Sequence, residues 1–353
     1  MTDPTAAARV LARTEGALGR LTLNRPEAIN ALDLGMIELL TRALDAWRDD
    51  SDVQIVVIDG AGERGMCAGG DVRTLHAQIV AGHPERTGEF FRAEYALNAM
   101  IAEYPKPVVA LADGITMGGG IGLAGHAAIR IVTERSKLAM PETRIGFTPD
   151  VGGTWLLARA PGRFGEYFGL TGSTMTAADA VYLGFADHVV PSDRLDALRE
   201  ALAFRADPTG PSEIVLLFDE TPEPTTLPVD REWIDDAFSA PSVGEIIERL
   251  RAREEADAAN AADLLEELSP TALAVTLDAV REARELPGLR AALEGEYRRV
   301  LWFAEKHPDL AEGIRAQLID KDRDPHWHPA TIAQLDPDAG AGARGYVPAQ
   351  PLF

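Results

Sequence analysis

LADGITMGGGIGLAGHAAIRIVTERSKLAMPETRIGFTPDVGG, residues 111–153, is the stretch on which the reading of this chain turns. Three successive glycines, Gly118, Gly119 and Gly120, follow a short apolar run and open a helix-like one. A β-like segment at 129–133 and a shorter one at 137–141 come next. Glu142 then follows Pro141 and Asp150 follows Pro149, each among apolar and glycine neighbours. Strand, glycine turn and helix therefore recur within about forty residues, with two carboxylates set in the turns.

The pattern extends upstream. GALGRLTLN, 16–24, reads as a strand ended by Arg25-Pro26. From 31 to 47, Leu32, Met36, Leu39, Leu40, Leu44 and Trp47 fall at helical spacing, with Asp33 where a cap belongs. VQIVVIDG, 53–60, is near-continuously apolar, the signature of a strand buried on both faces. A glycine-rich turn, CAGGD at 67–71, follows it directly. EFFRAEYALNAMIA predicts a helix to about residue 102, and VVALADG the next buried strand. Alternating strands and helices imply an α/β fold with crossover connections. Downstream, 171–191 reads as capped helix, glycine turn and short strand. Residues 206–230 are proline-rich and read as a connecting region. Residues 231–335 are mostly helical, with helices expected over 243–259, 261–268, 270–284 and 289–306. The tail, 336–353, is rich in Ala, Gly and Pro and is expected to be flexible. Residues 1–205 form the expected core.

Composition narrows the function. The 353 residues carry 34 Lys and Arg against 56 Asp and Glu, a net charge of -22. So acidic a chain repels phosphate backbones, which argues against nucleic acid and leaves a small ligand held by a few local cations. No apolar run reaches the ~18 residues of a membrane span. The amino-terminal stretch lacks a basic segment followed by an apolar one, so the expectation is a cytoplasmic protein. Cys67 is the sole cysteine, excludes an intramolecular disulfide, and reads as a small buried residue. The seven histidines show no metal-ligand spacing, and no metal is expected.

Two glycine turns, each after a buried strand, suggest one chemistry. Backbone N–H groups from separate turns aimed at one point make an oxyanion hole, and the second would sit at a helix start. Carboxylates in apolar surroundings have raised pKa values suited to base, acid or nucleophile roles. Each feature alone has a plainer explanation. The turns can be tight strand-to-helix connections, Glu142 can pair with Arg144, and Asp150 can cap the helix after Gly153.

With LNRPEAINAL, CAGGD, GITMGGGIGL and MPETRIGFTPDVGG in view, the chain resembles the crotonase (enoyl-CoA hydratase/isomerase) superfamily. AGGDVR, FFRAEY, AMPET, PDVGGT, FSAPSVGEII, SPTAL and LIDKDRDPHWHP make the resemblance strongest to its 3-hydroxyisobutyryl-CoA hydrolase branch. The resemblance runs from about residue 16 to 335. It implies stacked ββα units with a helical C-terminal part, and a CoA thioester substrate with no separate cofactor. It places the thioester oxygen between the amides of Gly70 and Gly119, with Glu142 and Asp150 as the acidic pair and Glu94 as a substrate contact. Arg73, Ala68 and Arg25 are the expected contacts of the CoA moiety; Lys106 and Lys137 are further candidate cations. Homo-oligomers are common in the superfamily, and the implied pathway is valine catabolism.

One departure bears on the reaction. Hydratases of the superfamily use a second glutamate where this chain has Gly122, and its dienoyl-CoA isomerases carry an acid there too. Glycine does no acid–base work, whereas thioester hydrolysis requires no acid at that position. Hydrolysis of a short branched 3-hydroxyacyl-CoA is therefore the leading expectation. Hydration or isomerisation, and silent CoA-ester binding, are the alternatives.

Overall fold

The computed structural model describes residues 8–204 and 210–353. Its strands are β1 (Val10–Glu15), β2 (Leu18–Leu23), β3 (Ile55–Gly60), β4 (Val108–Ala112), β5 (Ile115–Met117), β6 (Ile129–Val132), β7 (Lys137–Ala139) and β8 (His188–Val189). Six of them form one sheet in the order β1-β2-β3-β4-β6-β8, and β5 pairs with β7 in a smaller one. β1 is antiparallel to β2; every other pair is parallel.

β4 is wholly apolar and β3 nearly so because each face meets a different core. On β3, Val56 and Ile58 enter the larger core, while Ile55 and Val57 enter a second one. That second core is closed by Leu195, Leu198 and Leu202 of the helix Leu195–Ala203 and by Val215. Period-2 alternation therefore survives in the packing although the residue types hide it.

The expected ββα repeat is present. β2 leads through Leu32 to the helix Leu34–Arg48, and β3 through residues 65–67 to the helix Val72–Val80. β4 leads through β5 to the helix Gly119–Ala124, and β6 through β7 to the 3₁₀ turn Glu142–Ile145. The short segments bridge one another: Leu32 with Gly70, Cys67 with Thr116, and Leu138 with Met175. Successive turns are thus stacked on the same side of the main sheet.

Local chemistry sets the ends of the elements. Asp33 caps its helix, its side chain accepting from Met36 N at 2.9 Å. Thr176 and Asp179 form a capping box at the helix Ala177–Leu183, which Gly184 ends in the left-handed conformation. Lys106 gives its ammonium to the carbonyls of Trp47 and Asp50, satisfying the C-terminal end of the helix Leu34–Arg48.

The C-terminal helices continue the same core. Leu289–Lys306 packs on Thr87–Ala102, and Pro270–Ala283 on Phe164–Thr171. Three expectations need correction. The proline-rich region holds a helix, Pro211–Leu216, and the next begins at Leu227; residues 205–209 of that region lie outside the described residues. The two helices expected over 243–259 and 261–268 are Val243–Arg251 and Ala256–Glu267, so the break falls at 252–255 and not at 260. Within the segment expected to be a flexible tail, Ala339–Arg344 is a helix packed on Pro270–Ala283, with Ala343 fully buried. Its glycines lower helix propensity, yet they permit that close approach: a Cβ at Gly340 would fall 2.8 Å from Asp278 Cβ.

The helix Asp309–Ile314 lies against the turn that carries Glu142, and a Cβ at Gly313 would overlap the Ile145 backbone. Gly313→Ala is expected to cost about 1–3 kcal/mol through overpacking, lowering the calorimetric unfolding midpoint by a few degrees. An unchanged midpoint would contradict this contact.

Candidate active site

The CAGGD turn is fastened to the segment before the first helix. Leu32 N donates to Gly69 O at 2.8 Å and Asp71 N to Leu32 O at 2.7 Å, so the amide of Gly70 between them points the other way. Asn30 anchors the approach, giving its side-chain amide to the carbonyls of Ala61, Gly65 and Met66. The second turn is locked on both flanks: Met117 N donates to Cys67 O at 2.9 Å and Gly118 N to Ala139 O at 3.2 Å. Gly119 then begins a helix, where its N–H has no intrahelical acceptor.

The two turns meet. A Cβ built on Gly119 would lie 3.2 Å from Gly70 N and 2.5 Å from Glu94 Oε1. One built on Gly118, whose φ is +48°, would lie 2.9 Å from Glu142 Oε1. The amides of Gly70 and Gly119 and the carboxylates of Glu94 and Glu142 therefore share one small space, and only glycine leaves room for it.

Neither plain explanation of the carboxylates describes what the structure contains. Arg144 does not pair with Glu142; it donates to the carbonyls of Thr171 and Gly172, pinning the turn beneath. Glu142 is 7% exposed and its Oε2 has no hydrogen-bond partner among the described residues. Asp150 does not cap the following helix; its carboxylate accepts the Tyr95 hydroxyl at 2.7 Å. Burial, and then the charge of Asp150, push Glu142 well above the ordinary carboxylate range. The same two causes raise Glu94. Burial lifts Asp150 to about 7, opposed by the Tyr95 hydrogen bond. Three carboxyls packed out of water cannot all be ionised cheaply, so protons are retained near neutral pH.

Around this cluster opens a cavity of about 520 Å³. Gly70, Gly119, Glu94, Glu142 and Asp150 line it, with Arg25, Ala68 and Arg73 also in its wall. Arg25 is largely committed, at 2.8 Å from Asp71 and donating to Ala31 O. The exposed guanidinium of Arg73 has no hydrogen-bond or ion-pair partner among the described residues. Lys106 and Lys137 do not line the cavity. Cys67 is fully buried and its thiol is pushed up to about 12, mainly by desolvation, so it is no nucleophile.

Some participants left no trace in the local sequence. Tyr95 follows Glu94 in FFRAEY, yet its bond spans 55 positions to Asp150. Glu296, on the helix Leu289–Lys306, accepts the amides of Gly152 at 2.7 Å and Thr154 at 2.9 Å, and the Thr154 hydroxyl. Leu310, Gln317 and Leu318 bring the C-terminal part into the cavity wall.

Residues 18–341 match the family model described as Enoyl-CoA hydratase/isomerase. The chain belongs to this family. Among curated members of the enoyl-CoA hydratase/isomerase family similar to it, the mitochondrial 3-hydroxyisobutyryl-CoA hydrolase of Danio rerio is 41% identical, aligned over 94% of this chain and 88% of its own. The 3-hydroxyisobutyryl-CoA hydrolase 1 of Arabidopsis thaliana is 40% identical over 93% and 89%. A crystal structure described as a carnitinyl-CoA dehydratase from Mycobacterium thermoresistibile superposes with a TM-score of 0.91 at 43% identity, covering 98% of this chain and 99% of that one. One described as an enoyl-CoA hydratase from Rhodobacter sphaeroides has the same TM-score at 42% identity, covering 98% and 100%.

The enoyl-CoA hydratase/isomerase family thus spans more than one reaction, and Gly122 bears on which applies. A Cβ there would fall 2.7 Å from Val151 Cβ and 2.8 Å from Asn98 Nδ2. The room that a second acid would need is filled by two other side chains.

The raised carboxyls tie stability to pH. Asp150 moves from an ordinary 3.8 to about 7 on folding, so between those values the folded state binds more protons and stability falls as pH rises. Asp150→Asn keeps an acceptor for Tyr95 but has no charge to bury. Its unfolding midpoint should gain on the parent as pH rises from about 4 to about 7. Differential scanning fluorimetry across that range checks this, and a gain toward low pH instead would reverse the assignment.

Proposed function

We propose that this protein hydrolyses a short branched 3-hydroxyacyl-CoA thioester, 3-hydroxyisobutyryl-CoA being the substrate named for its relatives. The reading rests on one observation above the others. Glu142 lines the same cavity as Gly70 and Gly119, close against Gly118, and the position of a second hydratase-type acid is both glycine and sterically occupied. Chemistry that needs one strong carboxylate base or nucleophile fits that arrangement; addition of water across a double bond by two glutamates does not.

In the proposed reaction the thioester oxygen accepts hydrogen bonds from Gly70 N–H and Gly119 N–H. As the carbonyl carbon becomes tetrahedral, each good donor stabilises the oxyanion over the ground state by roughly 3–4 kcal/mol. Glu142 either attacks that carbon, giving an acyl-enzyme anhydride that water then opens, or takes a proton from water attacking it. Both routes break the carbon–sulfur bond and release CoA as its thiol. The elevated pKa of Glu142 makes its ionised form a stronger base than an exposed glutamate. Asp150, steadied by Tyr95, orients the substrate hydroxyl or the attacking water, and Glu94 adds a polar contact to the acyl group. Among the described residues of the cavity wall, Arg73 is the arginine without a partner and would meet a CoA phosphate.

A place in valine breakdown follows from that substrate. The animal relatives are named as mitochondrial; a cytoplasmic location is proposed for this chain, and no helix among the described residues is long and apolar enough to cross a membrane.

Incubation with 3-hydroxyisobutyryl-CoA should release free thiol, while an enoyl-CoA should keep its conjugated absorbance. Glu142→Gln should reduce thiol release by ~10²–10⁴-fold with acyl-CoA binding retained. Loss of enoyl absorbance without thiol release would replace hydrolysis by hydration, and near-parental turnover in the variant would exclude both routes through Glu142.

A further inference from the structure

We infer that Glu296 is a positioning residue for Asp150, supplied by the C-terminal helices to a loop of the core; the inference rests on the hydrolase reading above. Glu296 is 1% exposed and 142 positions away in sequence from the nearer of the two amides it accepts. A carboxyl so deeply buried, with no cation bound to it, is costly unless its hydrogen bonds are specific. They are. One oxygen takes Gly152 N–H, and the other takes Thr154 N–H and the Thr154 hydroxyl. These amides open the helix Gly153–Leu157, whose preceding residue offers no side-chain cap. Glu296 supplies the cap from another element.

The loop it holds would not rest in this shape unaided. Val151, a β-branched residue, has φ +53° and Gly152 has φ +78°. Left-handed backbone is unfavourable for a β-branched side chain and persists only where the surroundings impose it. Two groups impose it here. His126 Nε2 meets Val151 O at 2.8 Å, and Glu296 grips the residues on the far side. The residue before the strained pair is Asp150. Its direction toward Tyr95 therefore follows from how residues 151–154 are tied down, and Tyr95 itself packs edge-on against Tyr297, the neighbour of Glu296. Val151 also helps fill the space beside Gly122, so the same loop sets both the orientation of Asp150 and the exclusion of a second acid.

Glu296→Gln is the deciding variant. The amide is of equal size, yet its NH₂ must face one of the two N–H groups that a carboxylate accepts. The wild-type protein is first shown to release thiol from 3-hydroxyisobutyryl-CoA; failure at that step sinks the hydrolase reading and not this one specifically. In the folded variant kcat should fall about 10- to 100-fold, the scale of a small misplacement of a reacting group, with KM within about threefold of the parent. A folded Glu296→Gln protein with parental kcat, whatever its melting temperature, overturns the inference. So does a change confined to KM. Should the variant not fold, Thr154→Val keeps the Thr154 amide and removes only the hydroxyl. A fall in its kcat at constant KM supports the role, and parental kcat overturns it.

Discussion

The structure turns on how closely two peptide bends approach each other. The amide of Gly70 and the α-carbon of Gly119 stand near enough that a methyl group on the latter would touch the former and strike Glu94. That proximity is a backbone property. Bridges between Cys67 and Thr116 and between Leu32 and Gly70 fix the bends as neighbouring rungs of the short second layer, so their spacing follows from sheet geometry and not from side chains. The repeat of long strand, short strand and helix delivers each bend to the same side of the main sheet.

Opposing this convergence is the electrostatic cost of what surrounds it. Glu94, Glu142 and Asp150 occupy a region from which water is largely removed, and Glu296 lies just behind them, lifted to about 8 chiefly by burial. Among the described residues no arginine or lysine is within ion-pair distance of any of the four; Asp150 is held by a tyrosine hydroxyl and Glu296 by a threonine and backbone amides, while Glu94 Oε1 and Glu142 Oε2 have no hydrogen-bond partner. Neutral donors leave the carboxyls basic, whereas a guanidinium would hold them ionised and inert. The protein sacrifices stability locally, and the large core that continues through both the sheet and the C-terminal helices is what tolerates it.

Much of this was legible in the sequence because the relevant signals are short-range. Gly70, Gly119, Glu142 and Asp150 each stand in a turn whose composition announces it, and the buried strands announce themselves by unbroken apolar runs. Glu94 and the role of Gly122 came instead from resemblance. What stayed hidden depends on distance along the chain. Nothing near Glu296 in EGEYRRV distinguishes a buried cap from an ordinary helix glutamate, since its partners are over a hundred positions away. β1 escaped because, as an edge strand with only Val10 buried, it shows no alternation. The break after Arg251 escaped because Ala252 to Glu255 are good helix formers, so propensity runs through a bend that packing imposes. The helix at 339–344 escaped because a composition that favours disorder also favours tight helix contact.

The filled site beside Gly122 has an evolutionary consequence. To gain a second acid, the chain would need a substitution at 122 together with smaller residues at both 98 and 151, and any one of these alone either clashes or leaves a void. Val151 cannot be altered freely, because its left-handed backbone is part of the loop that carries Asp150. Single substitutions in this sequence are thus separated from a two-acid site by unstable intermediates, and packing bars that change more firmly than the identity of residue 122 alone.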